Sequence, residues 1–328
     1  MKFLVTGSAG FIGYHITRMI LENFKKSSVI GIDNLNSYYS VKLKKKRIKI
    51  LKKFKKFKFI KIDISDEEKV SSLFKNIKFD IVIHMAAQPG VRYSMINPKV
   101  YFSSNIEGFY NIIENCNLLK VKKFLFASSS SVYGDQKKYP LKENYNLNPN
   151  NIYSYTKKNN EDVASDLSKS KFFKMKIVAL RFFTIYGDYA RPDMFIYKFL
   201  NSLVKKKTFY LNNYGNHKRD FTHIEDVKNI IAKLIINKKL KSYQVFNVCS
   251  NRPVSILKLS FLIQNILQLK NKIIKIQKHR ADVLVTHGSN IKIKKFLRIK
   301  KFRNIFNEIE SVIQNYIKQK IFKYSYFF

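Results

Sequence analysis

Three residues near the middle of the chain could carry out proton transfer. Tyr153 and Lys157 are four residues apart, so on a helix they share one face. A Lys ammonium beside a phenol favours the phenolate and moves the Tyr pKa towards a range useful for proton transfer. Ser129, in the run Ser128–Ser131, offers a hydroxyl that could relay the proton. Tyr155 is a rival phenol, but it lies two residues from Lys157 and on another face.

A glycine-rich turn near the N-terminus is typical of a dinucleotide site. Gly7, Gly10 and Gly13 follow an apolar strand and open a helix, with Phe11 and Ile12 between the last two. Such glycines permit a tight turn, close approach of a pyrophosphate and close helix–strand packing, and the helix N-terminus favours phosphate. The GxxGxxG spacing is weak by itself, because a purely structural turn would use the same residues.

Asp33 ends the second predicted strand, twenty residues beyond Gly13. A carboxylate at this position accepts hydrogen bonds from the ribose hydroxyls of adenosine and repels a 2′-phosphate. Its neighbours Asn34 and Leu35 provide no Arg to hold such a phosphate. We therefore expect NAD, rather than NADP, as the cofactor.

A parallel sheet is needed to position these residues. Apolar strands alternate with helical patterns, which predicts right-handed crossovers and an α/β, doubly wound parallel sheet. The predicted strands are 2–6, 29–33, 57–62, 81–85, 124–127 and 177–181. The predicted helices run from residue 11 to about 24 and near 66–77, 99–119 and 154–170.

The pattern changes after residue 185. Short strands and helices now mix, with strands predicted at 208–211, 244–248 and 273–277 and helices near 225–237, 255–268 and 303–320. We expect an NAD-binding domain over residues 1–185 and a smaller C-terminal α/β substrate lobe over 186–328, interleaved with the first.

The charge of the chain is its oddest bulk property. Among 328 residues, 63 Lys and Arg face 22 Asp and Glu, a formal net charge of +41. Nucleic acid or an anionic membrane could bind such a surface, but a Lys-rich composition spread over the whole chain explains the charge without a ligand. The segment Lys42–Lys58 holds 11 basic residues among 17 and is predicted to be a surface helix with a basic outer face. We favour the compositional explanation and expect no nucleic acid or membrane partner.

The chain offers little for disulfides, metals or membranes. Cys116 and Cys249 are too few for a disulfide framework or a Cys-based metal site. No stretch approaches the roughly 20 apolar residues of a membrane span, and the N-terminus does not read as a secretory signal. We expect a cytoplasmic protein that binds no metal.

The glycine turn, Asp33 and the Ser/Tyr/Lys set together resemble the extended short-chain dehydrogenase/reductase family, which includes NAD-dependent nucleotide-sugar epimerases and dehydratases. The resemblance covers nearly the whole chain and implies a Rossmann fold and a homodimer that pairs through helices. It implies that Tyr153 and Lys157 also contact NAD. The further cofactor residues that it implies are Asn34, Asp63, Ile64, Ala86, Ala87, Gln88, Asn105 and Phe183.

The residues after Ser129 narrow the reaction. Related dehydratases have an Asp–Glu pair there, and UDP-glucuronate decarboxylases have a nearby Glu, whereas this chain has Ser130 and Ser131. Neutral hydroxyls cannot serve as the general acid and base of an elimination. What remains is oxidation at C4, turning of the keto sugar and return of the hydride to the other face, which is 4-epimerisation.

Two segments, 86–94 and 181–194, resemble UDP-glucuronate 4-epimerases. The resemblance implies that Arg191, Thr184 and the serine hydroxyls hold the sugar carboxylate, which would keep a keto acid from the orientation that decarboxylation needs. A surface salt bridge is the other interpretation of Arg191. The remaining implied substrate residues are Arg92, Arg219 at the diphosphate, and Arg280 and Asp282 at the uridine.

We therefore expect conversion of UDP-glucuronate to UDP-galacturonate for surface polysaccharide synthesis. Departures at Pro89 and 188–190 leave the sugar open, so a UDP-glucose or UDP-N-acetylglucosamine 4-epimerase is an alternative. A basic protein that binds nucleic acid or membrane and keeps the fold only as a sensor is an alternative of another class.

Overall fold

The computed structural model describes residues 1–319. Residue 320 of the predicted helix 303–320 and the end of the predicted lobe, 320–328, lie outside the described residues. The strands are β1 (Lys2–Thr6), β2 (Ser28–Asp33), β3 (Phe57–Lys61), β4 (Ile81–His84), β5 (Lys123–Ser129), β6 (Lys176–Phe182), β7 (Thr184–Tyr186), β8 (Phe209–Asn212), β9 (Lys218–His223), β10 (Tyr243–Val248), β11 (Pro253–Ser255) and β12 (Ile273–Ile276).

The α-helices are α1 (Phe11–Asn23), α2 (Val41–Leu51), α3 (Glu67–Asn76), α4 (Lys99–Tyr101), α5 (Gly108–Leu118), α6 (Ile152–Leu167), α7 (Phe195–Val204), α8 (Ile224–Ile236), α9 (Ile256–Leu267), α10 (Ile291–Leu297) and α11 (Ile305–Lys318). A π-helical segment, Phe102–Glu107, joins α4 to α5.

The main sheet has seven parallel strands in the order β10-β6-β5-β4-β1-β2-β3. Its strands are apolar on both faces, as a sheet covered by helices on both sides requires. In β1, for example, Phe3 and Val5 enter one buried cluster while Leu4 enters the other. The predicted α/β, doubly wound fold is confirmed.

β10 corrects the sequence analysis. The pattern after residue 185 assigned residues 244–248 to the smaller lobe, but β10 pairs in parallel with β6 at the edge of the main sheet. The chain thus returns to the first sheet after building part of the second lobe. Periodicity identified the strand, but it carries no information about which distant strand will be the hydrogen-bonding partner.

Up to residue 319, the smaller lobe contains two short sheets. One has the order β11-β9-β7, and the other pairs β8 with β12. Helix α7, which sequence analysis did not predict, packs against α9 in this lobe. Its residues Phe199, Leu200 and Leu203 are buried in the core cluster that also covers one face of the main sheet.

The structure also corrects the prediction of one surface helix over the basic segment Lys42–Lys58. Helix α2 ends at Leu51, and Lys58 belongs to β3, so no single helix spans residues 42–58. Within α2, Lys44 and Arg47 are buried together with the apolar face. Arg47 is tolerated there because its guanidinium donates to protein oxygens on two other segments.

Within residues 1–319 no helix combines the length and apolar character that crossing a membrane requires.

Candidate active site

A cleft opens at the carboxyl ends of the parallel strands, where β1 separates β2 from β4. The strand order reverses at this point, which is where open α/β sheets bind their ligands. The predicted residues that line this cleft are Gly7, Gly10, Phe11, Ile12, Gly13, Asp33, Asn34, Ile64, Ala86, Ala87, Ser129, Tyr153, Lys157, Phe183 and Arg191.

The glycine turn between β1 and α1 leaves no room for side chains. Gly7 has a φ of +66°, and a Cβ there would lie 2.7 Å from the amide nitrogen of Ala86. A Cβ on Gly13 would lie 2.1 Å from the carbonyl oxygen of Gly7. Gly10 caps α1 without a side chain, so the first amides of the helix and the positive end of its dipole are left for a ligand. This surface fits the pyrophosphate of NAD.

Asp33 marks the adenosine end of the cleft. Its buried carboxylate accepts hydrogen bonds from the amides of Ala9 at 3.1 Å and Leu35 at 2.8 Å. Burial raises the pKa of this carboxyl, and the nearby charge of Lys44 acts against that effect. The Lys44 ammonium itself donates to the backbone and side-chain oxygens of Asn36, each at 2.8 Å. The carboxylate is thus held at the strand end where a ribose would need it.

Asp63 lies behind the cleft lining rather than in it. Its carboxylate accepts a hydrogen bond of 2.8 Å from the side-chain amide of Asn34, and others from the amide and hydroxyl of Ser65. These bonds hold the pKa of Asp63 below its ordinary value although partial burial would raise it. Asp63 therefore orients Asn34. Both Asn34 and Ile64 line the cleft.

Gln88 and Asn105 also lie outside the set of residues that line the cleft. They connect two of the segments that form its walls. The Asn105 side chain accepts from the Gln88 amide at 2.7 Å and donates to the Gln88 carbonyl at 3.1 Å. It also donates to the Thr156 hydroxyl on α6 at 3.0 Å. The segment after β4 is thereby fixed to the helix that carries Tyr153 and Lys157.

The structure brings the three predicted catalytic residues, Ser129, Tyr153 and Lys157, to the same cleft. Ser129 ends β5, and the other two project from the first two turns of α6. The Ser129 hydroxyl accepts a hydrogen bond from the Ser131 hydroxyl at 2.8 Å, and it lies near enough to the Tyr153 phenol to lower the phenol pKa. Lys157 donates to the carbonyl of Ala127 at 2.9 Å. The serine hydroxyls thus lead towards the phenol.

Burial dominates the ionisation of the phenol and the ammonium. It raises the pKa of Tyr153, against the hydrogen bond from Ser129 and the charge of Arg191. It lowers the pKa of Lys157 to about 8, while the charge of Glu161 acts the other way. The predicted lowering of the Tyr153 pKa by Lys157 is therefore not found in this structure, because both groups are desolvated in the same cleft.

A buried ion pair lies behind Lys157. Glu161 follows one turn later on α6, and Arg181 on β6 donates to its carboxylate through Nε and Nη2, the shortest contact being 2.7 Å. The Ser128 hydroxyl on β5 also donates to Glu161. Arg181 makes a further bond of 2.8 Å to the Tyr133 phenol. Because both charges are almost fully buried and paired bidentately, this network fixes α6 against β5 and β6.

Arg191 stands in the same cleft as Tyr153. Its guanidinium is paired with Asp193, so the salt-bridge interpretation and a place in the site are both true of this residue. Thr184 begins β7, and Ser130 begins the turn after β5. Both are partly exposed, and neither is among the residues that line the cleft.

The other predicted substrate residues form a second group. Arg92 donates to Asp282 through Nε at 3.2 Å and Nη2 at 2.7 Å. Arg219 donates to three backbone carbonyls, those of residues 218, 283 and 284. Burial lowers the pKa of Arg219 to about 10, against the charge of Asp282. Arg280 is exposed in the turn before Asp282. None of these residues lines the cleft around Tyr153.

Asp220, the residue after Arg219 on β9, connects segments of the two lobes. Its fully buried carboxylate accepts from the amide and hydroxyl of Ser250, at 2.8 and 2.7 Å, and from the amides of Asn251 and Gly288. Burial raises its pKa to about 6, and these four bonds oppose that rise. The carboxylate thus joins β9 to the segment after β10, at the seam between the two lobes.

Sequence reasoning missed Tyr38, Tyr39 and Lys44, which line the cleft. All three come from the segment between β2 and the first turn of α2. Tyr38 and Tyr39 could have been found from the sequence, because they closely follow the carboxyl end of β2, where Asp33 was already predicted to bind the cofactor. No sequence signal separates Lys44 from the other cations of the basic segment.

Comparison with known proteins identifies the family. The sequence profile of the NAD dependent epimerase/dehydratase family matches residues 3–249. This chain belongs to that family. An uncharacterized protein of Methanocaldococcus jannaschii is 41% identical over 300 residues, which are 91% of each chain. The UDP-glucuronate 4-epimerase of Thermodesulfobacterium geofontis is 37% identical over 298 residues, which are 90% of each chain.

A solved structure resembles this epimerase/dehydratase closely. It is the crystal structure of UDP-glucuronic acid 4-epimerase from Bacillus cereus in complex with UDP-glucuronic acid and NAD. It superposes with a TM-score of 0.90 at 30% identity, covering 98% of this chain and 100% of that one. Family membership confirms the predicted class of enzyme, and with this structure it confirms NAD as the cofactor.

Replacing Tyr153 with Phe tests the phenol directly. The change removes the oxygen that Ser129 contacts and keeps the ring. We expect turnover of the UDP-sugar substrate to fall by about 10²-fold or more, since a positioned proton-transfer group contributes on the order of 10²–10⁴-fold. Turnover is followed by anomeric proton NMR, and bound NAD is measured after release by denaturation.

The matched control is Tyr155→Phe. Tyr155 is 59% exposed and lies on another face of α6, so this variant should turn over normally. Both variants should retain NAD. Near-normal turnover by Tyr153→Phe would refute the role of the phenol.

Proposed function

We propose that this enzyme interconverts UDP-glucuronate and UDP-galacturonate by 4-epimerisation. The observation that carries the proposal is that Arg191 lines the same cleft as Tyr153 and lies close enough for its charge to act on the phenol pKa. In a hexuronate the carboxylate is attached to C5, next to the reacting C4. A guanidinium near the group that takes the C4 hydroxyl proton therefore suits an acidic sugar. The similarity to UDP-glucuronate 4-epimerases supports the same substrate.

The hydroxyl chain would carry the proton. Tyr153, as the phenolate, takes the C4 hydroxyl proton with Ser129 as relay, while the hydride leaves C4 and the C–O bond becomes a ketone. The charge of Arg191 acts on Tyr153 in favour of the phenolate, and Lys157, whose pKa is about 8, adds a positive charge to the same cleft while it is protonated. NAD, when bound, supplies the hydride acceptor, then the hydride donor. Tyr153 and Ser129 return the proton to the keto oxygen as the hydride adds to the opposite face of C4, so the net reaction needs no external oxidant.

The groups around the phenol favour epimerisation over elimination or decarboxylation. The turn after Ser129 offers hydroxyls, and Ser131 is already hydrogen-bonded to Ser129. Glu161, the carboxylate on the same face of α6 as Lys157, is held by Arg181 and so is not free to act as a base. The 4-keto form of a uronate is a β-keto acid. A carboxylate gripped by Arg191 can be kept out of the orientation that loss of carbon dioxide requires.

One observation favours a second substrate class. Arg191 already donates hydrogen bonds from Nε and Nη2 to the Asp193 carboxylate, so part of the Arg191 charge is neutralised before any substrate binds. A site with a neutralised Arg would suit the uncharged sugar of UDP-glucose or UDP-N-acetylglucosamine. Both substrate classes use the same Ser129, Tyr153 and Lys157 chemistry, so only the preference for a sugar separates them.

Incubating the purified protein with each UDP-sugar separates these candidates. We expect UDP-glucuronate to give UDP-galacturonate, with a kcat/KM at least about tenfold above that for UDP-glucose, because a charge-assisted pair with Arg191 stabilises the bound acid. Products are read from their anomeric protons by NMR. A preference for UDP-glucose would refute the substrate, and UDP-xylose as the product would refute the inference from the serine run.

We also propose that the enzyme is a homodimer. Three large apolar side chains are about half exposed on neighbouring helical segments: Phe102, Tyr110 and Tyr155. The first two lie on the π-helical segment and α5, and that segment contacts α6, which carries the third. Exposed apolar side chains gathered in this way are typical of an interface between subunits. The family resemblance implies pairing through helices, which supports this face.

Light scattering after size-exclusion chromatography tests the dimer. We expect twice the mass of one chain for the wild type and a single-chain mass for the double variant Tyr110→Glu/Tyr155→Glu, because charges there lose solvation in the interface. Phe172→Glu is the control, since Phe172 is 90% exposed in the turn after the C-terminal end of α6, whereas Tyr155 lies in the first turn of that helix, and this variant should stay dimeric. A monomeric wild type would contradict the proposal.

We also propose that the reaction takes place in the cytoplasm and that its product is used as an acidic sugar in the synthesis of surface polysaccharide. Both cysteines are buried as free thiols, which suits a reducing compartment. UDP-galacturonate is an activated sugar and thus a donor for glycosyl transfer.

A further inference from the structure

Arg191 is held along one edge by Asp193. Arg191 Nε lies 3.0 Å from one carboxylate oxygen of Asp193, and Nη2 contacts the other. A bidentate pair of this kind fixes the plane of the guanidinium and its position. Burial would raise the pKa of Asp193, but the charge of Arg191 holds it below its ordinary value. Asp193 is therefore a charged partner, and Arg191 keeps Nη1 and one N–H of Nη2 for another acceptor.

Tyr38 secures this pair from the cofactor side. Its hydroxyl donates to an Asp193 oxygen at 3.3 Å, and its ring lies under the Arg191 guanidinium, 5.7 Å from ring centre to Cζ. The Tyr38 ring is itself confined, because a Cβ on Gly90 would lie only 2.3 Å from its hydroxyl oxygen. Tyr38 belongs to the segment that follows β2. The last residue of β2, Asp33, and the next residue, Asn34, both line the cleft.

Arg47 anchors the backbone just before Arg191. Its buried guanidinium donates to the carbonyl of Tyr189 at 2.6 Å, two residues before Arg191. It also donates to the carbonyl of Ala9 in the glycine turn at 2.8 Å and to the Tyr39 hydroxyl at 2.7 Å. The loop that carries Arg191 is therefore attached to two cofactor-binding segments.

We propose that Tyr38 and Asp193 are positioning residues that set the preference of this enzyme for an acidic sugar. They hold the free edge of the Arg191 guanidinium where the sugar carboxylate binds. This inference rests on the proposed function, since it assigns the carboxylate of UDP-glucuronate to Arg191. In this inference Asp193 orients the Arg191 guanidinium. It does not compete with the sugar carboxylate for the charge of Arg191.

The two roles of Asp193 predict opposite results. If Asp193 only competes with the substrate, removing its charge frees Arg191 and strengthens binding of UDP-glucuronate. If Asp193 orients Arg191, removing its charge releases the guanidinium, and binding of UDP-glucuronate weakens while binding of an uncharged UDP-sugar stays the same. The ratio of the two dissociation constants therefore reports positioning, and a general loss of folded protein leaves that ratio unchanged.

The test uses isothermal titration calorimetry of the NAD-loaded protein with UDP-glucuronate and with UDP-glucose. For Asp193→Asn we expect the Kd for UDP-glucuronate to rise about tenfold relative to that for UDP-glucose, since a charge-assisted bidentate pair is lost. For Tyr38→Phe, which loses one hydroxyl and keeps the ring, we expect a rise of about threefold. Tyr210→Phe is the matched control, because Tyr210 is 57% exposed on β8, and its ratio should equal that of the wild type.

Arg191→Gln separates failure of this inference from failure of the proposed function. If the wild type shows no preference for UDP-glucuronate, or if Arg191→Gln keeps that preference, both are refuted. If Arg191→Gln abolishes the preference while Asp193→Asn and Tyr38→Phe keep the wild-type ratio, the positioning role alone is refuted. Tighter binding of UDP-glucuronate by Asp193→Asn would also overturn it.

Discussion

The position of β1 between β2 and β4 is the constraint on which the rest of this enzyme depends. Because the chain leaves the sheet in opposite directions on the two sides of β1, a crevice opens at the carboxyl ends of these strands. The glycine turn after β1 and Asp33 at the end of β2 form one side. The serines at the end of β5 and the first turns of α6 form the other. Close packing of Gly13 on Gly7 keeps the crevice open to a backbone-bound phosphate.

Burial then decides how the side chains in this crevice ionise. It raises the pKa of Tyr153 and lowers that of Lys157 to about 8, so both groups are biased towards their neutral forms. A positively charged ligand beside them would shift the phenol back towards the phenolate. The Glu161–Arg181 pair fixes α6 without offering a free base, because its two charges satisfy each other. This buried pair thus makes the site rigid.

Much of the site could be read from sequence because its motifs are local. Gly7 to Gly13 and Tyr153 to Lys157 act within one turn or one helix, so spacing alone predicts their geometry, and the structure brings both motifs to one cleft. Strand β10 was assigned to the wrong lobe because its pairing with β6 joins segments more than sixty residues apart in the chain.

Long-range pairing also explains the errors in the basic segment. Lys44 and Arg47 have the same residue types as their exposed neighbours, and the burial of Arg47 depends on distant acceptors such as the carbonyls of Ala9 and Tyr189. The pairing of Arg191 with Asp193 is close in sequence, but the contribution of Tyr38 comes from a segment about 150 residues earlier. Charge, which dominates the composition, located no residue of the site.

Retention of the C4 hydrogen tests the central claim most directly. UDP-glucuronate carrying deuterium at C4 is converted in ordinary water, and the UDP-galacturonate formed is analysed by mass spectrometry and NMR. Because the same hydride leaves C4 and returns to it, we expect essentially all of the product to keep deuterium at C4. Loss of the label to solvent would contradict transient oxidation at C4 and would require a mechanism in which C4 gives up a proton instead.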